Sequence, residues 1–321
     1  MKIIKGSVLC AALLTITMPA AEAQTYPSQP IRLIVPAAAG GSTDIGARLI
    51  ARLMGQELNG SVFVENRGGG GGRVGATDAA RAQPDGYTLI YANSITHALL
   101  PAVAKSLSYD PIKDFVPIGG MFWYSTLIVC NPKTPFKDLA GLIQYAKEKP
   151  GKLTAATAGP GSGNHFSSEL LSSMAGISVT HVHYKGNSPA TLDVVSGFVD
   201  CIHIGEAKPF LDAGDLKAIA TTGQKRDPRF PDVPTVEEAG LEGYDVTWWQ
   251  GVFAPVGTPP EIVAKLASAA QNALADPSVK PTMWDVGFVP QYVPPADLIQ
   301  RMRRDADKFN AIAVAAKLDI N

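Results

Sequence analysis

Two turns hold the residue types that could do chemistry in this sequence. "PAAAGGSTD" (36–44) follows the strand-like run "IRLIV" and leads into a helix-like run. "TAGPGSGNH" (157–165) follows "LTAAT" and leads into another. Each sets small residues, glycines and hydroxyls at the start of a helix. Backbone N–H groups there have no intrahelical acceptor, the helix dipole favours negative charge, and glycine lets the backbone approach a ligand closely. The chemistry on offer is anion binding. The alternative is ordinary helix capping by Ser42, Thr43 or Ser162.

Other chemistries find less support. The first turn lacks the lysine of a Walker A loop. A G-x-G-x-x-G occurs at Gly70, Gly72 and Gly75, but the acidic residue that a dinucleotide site wants after the next strand is Asn93. A G-x-S-x-G elbow is missing: Ser162 has Pro160 where the first glycine belongs, and Ser42 has Asp44 where the second belongs. His181 and His183, two apart on a strand, share one face, and His203 is placed on a neighbouring strand. No cysteine or carboxylate spacing completes a metal site with them. The chain is therefore expected to be no enzyme, with no cofactor and no metal.

Strand and helix signals must alternate to position these turns, which implies an α/β architecture with parallel sheet. Helical spacing runs over 44–58, 136–148, 165–175, 188–196, 260–274 and 296–317. "SVFVEN", "YTLIYAN", "TLIVC", "SVTHVHY", "VDCIHIG" and "LKAIATT" read as strands. "FVPIGGMFWYSTLIV" and "YDVTWWQGVFAP" are extended segments suited to crossing between two lobes.

The first residues restrict the setting. Lys2 and Lys5 precede an apolar run from Val8 to Met18, and Ala21-Glu22-Ala23 is a cleavage signal. Residues 1–23 are expected to be a secretory signal peptide. What remains suits one large domain or two medium ones. With 28 basic and 29 acidic side chains, nothing points to nucleic acid. Beyond the leader, Cys130 and Cys201 could pair in an oxidising compartment; the plainer expectation is two buried thiols.

Longer stretches make the chain recognisable. "YPSQPIRLIVPAAAGGSTDIGARLIARLM", "VFVENRGGGGGRVGA", "ARAQPDGYTLIYAN", "YDPIKDFVPIG", "HYKGNSPATLDVVSGFVD", "RFPDVPTVEEAG" and "GVFAPVGTPPEIVAKL" resemble the Bug family, the extracytoplasmic receptors of tripartite tricarboxylate transporters. The resemblance runs from Tyr26 to about Leu318. It implies a two-lobed periplasmic-binding-protein type II fold with a two-segment hinge. Lobe 1 would be 24–122 plus 247–321, and lobe 2 would be 123–246. It also implies a monomeric periplasmic receptor that holds an organic carboxylate and passes it to membrane permease subunits. A sensor serving a signalling partner would share the same cleft, and an exported hydrolase or lyase is the more distant alternative.

Carried onto this sequence, Gly40, Gly41, Ser42, Thr43 and Asp44 match the first ligand corner. Thr157, Gly159, Gly161, Ser162 and Asn164 match the second. Asn93, Ser94 and His97 occupy a loop that faces the cleft in the family. Trp249 and Gln250 sit at the second crossover, where hinge packing is an equal expectation, and Lys185 could add charge at the ligand's remote end. The chain departs from the family at Ala37, where an aromatic is common, at His183, where a proline is usual, and in the short segment around Glu206. With Phe122, Trp123 and Tyr124 at the first crossover, these departures lean towards a planar, aromatic mono- or dicarboxylate over a branched one such as citrate.

Overall fold

The computed structural model describes residues 26–315 other than 105 and 285. The signal peptide expected over 1–23 lies outside the described residues. Eleven strands among them form two sheets. The first contains β1 (Ile31–Val35), β2 (Val62–Asn66), β3 (Thr88–Asn93), β4 (Phe115–Ser125), β10 (Thr247–Pro255) and β11 (Val289–Val293), in the order β11-β4-β10-β3-β1-β2. The second contains β5 (Leu127–Cys130), β6 (Leu153–Thr157), β7 (Val179–His183), β8 (Cys201–Ile204) and β9 (Lys217–Thr221), in the order β7-β6-β8-β5-β9.

"IRLIV" becomes an interior strand because it is apolar on both faces. It pairs in parallel with β2 and β3, and four of its five residues are buried. The helix after it, Ser42–Glu57, buries Ala47, Ile50, Ala51 and Met54 on one stripe against that sheet. In the second sheet β6 pairs in parallel with β7 and β8. The expectation of α/β lobes with parallel cores is met. The edge strand β11 escaped the sequence reading: "VPQYV" contains a proline and too short an alternation to signal a strand.

The chain passes between the sheets twice. The single residue Thr126 separates β4 from β5. The return runs from the end of β9 at Thr221 to the start of β10 at Thr247. Threonines stitch the crossings together. The Thr222 N–H donates to the Thr126 carbonyl at 2.8 Å, and the Thr126 N–H donates to Thr222 Oγ1 at 2.9 Å. Thr222 Oγ1 in turn donates to the Val246 carbonyl at 3.0 Å. β4 and β10 pair antiparallel along their length, so both extended segments are strands of one ladder.

Cys130 and Cys201 face each other in the antiparallel β5–β8 pair and form a disulfide. The expectation of two buried thiols is therefore corrected. A spacing of 71 residues carries no sign of this register.

Candidate functional site

Topology brings the candidate turns together. β10 is antiparallel to both β3 and β4, so β4 runs parallel to β1 and β3 and all three end on one edge of the first sheet. β4 ends at the crossing. In the second sheet Leu127 of β5 pairs with Ile204, so β8 also ends at the crossing, and parallel β6 and β7 end beside it. The carboxyl ends of six strands thus meet at one crevice, where open α/β sheets bind ligands. At Gly163, a Cβ would stand 3.1 Å from the Trp248 ring and 3.4 Å from Ile95. The second corner therefore packs directly on the first sheet's edge.

The first corner is held open by a carboxylate behind it. Asp44 Oδ2 accepts from the Gly40 N–H and from Arg48 Nε, each at 2.9 Å, and its Oδ1 accepts from Asn66 Nδ2 at 2.9 Å. Gly40 takes φ +82°, a conformation that favours glycine. The N-cap is Gly41, which has no capping side chain, so helix geometry leaves the N–H groups of the first turn available. Below them Gln250 Nε2 donates to Thr43 Oγ1 at 3.1 Å. Gln250 Oε1 and the Tyr91 hydroxyl are buried there with no hydrogen-bond partner. A Cβ on Gly46 would lie 3.0 Å from that hydroxyl, so any side chain there would press on this floor.

Asp44, expected to touch the ligand, is engaged within the corner itself. Its carboxylate is 3 % exposed, fully engaged and of the wrong sign for an anion. It shapes the loop instead. Burial works to raise its pKa, but Arg48, the Gly40 N–H and Asn66 outweigh that and hold it below the usual carboxylate range. A depressed carboxylate stabilises the fold fully above its unfolded pKa of about 3.9, and that stabilisation is lost as pH falls through the folded value. Asp44→Asn should cost about 1–2 kcal/mol at neutral pH, the outer part of the network being exposed. Urea unfolding at neutral and acid pH checks this: the variant's deficit should shrink in acid, where wild-type Asp44 is protonated too.

The second corner is tied by its own side chains. Gly159 and Gly161 take φ +125° and +73°. Asn164 Oδ1 accepts from the Ala158 N–H at 3.0 Å, and Asn164 Nδ2 donates to Asn187 Oδ1 at 3.1 Å. Ser162 Oγ faces the Gly159 carbonyl and Asn164 Oδ1, each at 2.6 Å. Thr157, fully buried, accepts from the Gly159 N–H at 3.3 Å. The Gly161 N–H donates to His165 Nδ1 at 3.2 Å. Ser162 is the N-cap residue here, yet its side chain does not cap the helix. By contrast, Asp138 caps Leu139–Glu148 by accepting from the Gly141 N–H at 2.8 Å. Ordinary capping by the N-cap side chain is therefore absent at both corners.

The remaining candidates divide. Asn93 Oδ1 accepts from the Ile95 and Thr96 N–H groups at 3.1 and 3.0 Å, so the expected loop is a capped helical turn at the end of β3. Ser94 is fully buried and accepts from the Trp249 N–H at 3.2 Å. Lys185 is exposed just beyond β7, next to Tyr184, whose N–H donates to the Thr157 carbonyl at 2.9 Å. His97 and Trp249 are both buried. His97 is 1 % exposed, with ring centres 4.8 Å from Phe115 and 4.6 Å from Phe253, and burial pushes its pKa down to about 3. It is a neutral core residue. The Trp249 indole is buried and donates to Asp305 at 2.9 Å, which fits hinge packing.

The aromatic run at the first crossover also divides. Phe122 is buried 5.7 Å from Phe288, and Trp123 lies under the Arg301 guanidinium at 4.9 Å. Tyr124 lies nearer the crevice: burial, then the Glu206 charge, raise its pKa, while Gln250 acts against them. Tyr91, Asn66 and Asn187 were missed, because nothing in their spacing ties them to the turns they support.

Known proteins share this fold. The model of the tripartite tricarboxylate transporter family receptor matches residues 46–318. The protein BugT of Bordetella pertussis is 34 % identical over 290 residues, covering 87 % of this chain and 89 % of that one. The structure of R. palustris Rpa4515 with adipate superposes with a TM-score of 0.85 at 33 % identity, over 91 % of this chain and 98 % of the other. MatC (Rpa3494) from Rhodopseudomonas palustris with bound malate gives 0.81 at 37 %, over 89 % and 99 %.

Proposed function

This chain belongs to the tripartite tricarboxylate transporter receptor family, and from that premise we propose that it is a periplasmic receptor for a small organic carboxylate. The observation that carries this is the pair of glycine-rich corners. Each opens a helix whose N-cap side chain does not cap it, and both lie at strand ends that meet in one crevice. Backbone N–H groups of the first turns would take one carboxylate, and exposed Lys185 offers charge for a second. Lobes of 24–122 plus 247–321 and of 123–246 would close on the ligand about Thr126 and Thr222. The closed receptor would then deliver it to membrane permease subunits.

Adipate and malate in the similar structures favour an aliphatic dicarboxylate. The aromatic reading loses support because Phe122 is a core residue and Trp123 is covered by Arg301. A thermal-shift screen of mono- and dicarboxylates tests the proposal. A ligand at 100 times its Kd adds about 2.7 kcal/mol, which should raise Tm by roughly 5 °C or more. No shift with any aliphatic or aromatic acid would overturn the carboxylate reading.

A further inference from the structure

Behind the second corner lies a cluster that the carboxylate clamp leaves unexplained. His165 and Glu169 are one turn apart on the helix Gly163–Ala175, so they share a face. That face covers β7, where His181 and His183 stand side by side with Ala155 and Thr157 of β6. β6 separates β7 from β8, so His203 is not on the neighbouring strand, as the sequence reading had placed it. The helix supplies the carboxylate that no spacing in the sequence revealed. Glu169 Oε1 lies 3.6 Å from His165 Nε2 and 3.2 Å from His181 Nδ1, and one ligand atom from each residue lies within 4.8 Å of the others.

The two edges at Glu169 suit a tetrahedral ion, and the third, within 4.8 Å, has only to close on binding. Zinc–nitrogen and zinc–oxygen bonds of about 2.0–2.2 Å give ligand edges of roughly 3.3–3.5 Å. The supporting shell fits as well. His181 Nε2 lies 2.9 Å from Ser168 Oγ, which fixes the ring with Nδ1 towards Glu169. Glu169 Oε1 stands between the two ring nitrogens, placed to share one ion with both. Its side chain is 27 % exposed, which leaves a path for an ion and for a water ligand.

We propose that His165 Nε2, Glu169 and His181 Nδ1 bind a divalent transition-metal ion of the zinc class, and that the ion couples positively to the carboxylate at the second corner. The link is the Gly161 N–H, which donates to His165 Nδ1. In that state the His165 proton sits on Nε2, facing Glu169. Ligation through Nε2 moves the proton to Nδ1, which then cannot accept from Gly161. His181 shifts its proton from Nδ1 to Nε2, and the Ser168 hydroxyl turns to accept it. No proton is gained or lost, and the Gly161 N–H is handed to the anion. This second half rests on the carboxylate reading above; the metal site does not.

The test uses the full mature chain, free of affinity tag and stripped by chelator. Calorimetric titration with Zn²⁺ alone, near neutral pH, should show one saturable equivalent of micromolar or tighter affinity. Co²⁺ should give the visible absorption of a four-coordinate site. Glu169→Gln and His181→Ala should each weaken zinc about tenfold or more and abolish the cobalt band, with circular dichroism confirming the fold. No one-to-one binding in wild type, or unchanged affinity in folded Glu169→Gln, overturns the site. With a carboxylate from the thermal screen at saturation, zinc affinity should tighten about fivefold or more. Equal affinity with and without it overturns the coupling.

Discussion

Replacing Gly161 with leucine is expected to weaken carboxylate binding at least about 100-fold while the protein stays folded. Gly161 takes φ +73°, where a side chain costs about 1–2 kcal/mol, so the loop relaxes to another backbone conformation. That relaxation displaces the buried turn that leads into the helix Gly163–Ala175 and so moves the N–H groups of its first turn. Charge-assisted hydrogen bonds contribute about 1.5–3 kcal/mol each, and two of them account for the expected loss. Global folding should survive, because β6 and the helix Gly163–Ala175 are anchored by Leu153, Ala155, Phe166 and Leu170. Gly41→Ala is the contrasting variant. Gly41 has φ −80°, and a Cβ there meets nothing closer than the Ala38 carbonyl at 3.9 Å, so the backbone need not move. Calorimetry on both variants checks the pair. Wild-type affinity in a folded Gly161→Leu protein would remove the second corner from the clamp.

Removing the disulfide should have the next largest effect, on stability alone. Cys130 and Cys201 close a loop with a sequence separation of 71 that contains β6, β7 and the whole second corner. Constraining such a loop contributes about 2–5 kcal/mol. The bond lies at the Cys130–Cys201 end of the β5–β8 pair, whereas the crevice lies at the Leu127–Ile204 end. The Cys130→Ala/Cys201→Ala double variant should therefore unfold at lower urea yet bind its ligand with unchanged affinity. A large affinity loss in the folded variant would show that the far end of the sheet also shapes the crevice.

The two corners were legible because each condenses a strand, a glycine-bearing turn and a helix start into one contiguous stretch. The α/β order was legible for the same local reason: "IRLIV" and "LTAAT" each lead straight into a turn and a helix. Residues that act through space were not. Asp44 read as a ligand residue because it sits in the motif; only the fold brings Asn66 to it and turns it into a brace. His97 and Trp249 follow strand ends or lie within one, as ligand residues often do, but Phe115, Phe253 and Asp305 come from distant segments and claim them for the core. The disulfide depended on the register of β5 and β8, and the metal cluster on which face of a helix lies over β7. A one-residue slip in either would have separated the partners.

The clamp is tested most directly by titrating the mature protein calorimetrically with one aliphatic dicarboxylic acid and with its dimethyl ester. The two share a carbon skeleton and differ in whether they carry charge and accept strong hydrogen bonds at their ends. The diacid is expected to bind one-to-one with micromolar or tighter affinity, and the diester to give no saturable heat. Equal binding of both would contradict the carboxylate clamp, because the crevice would then be selecting an apolar chain and its helix N-termini would be bystanders.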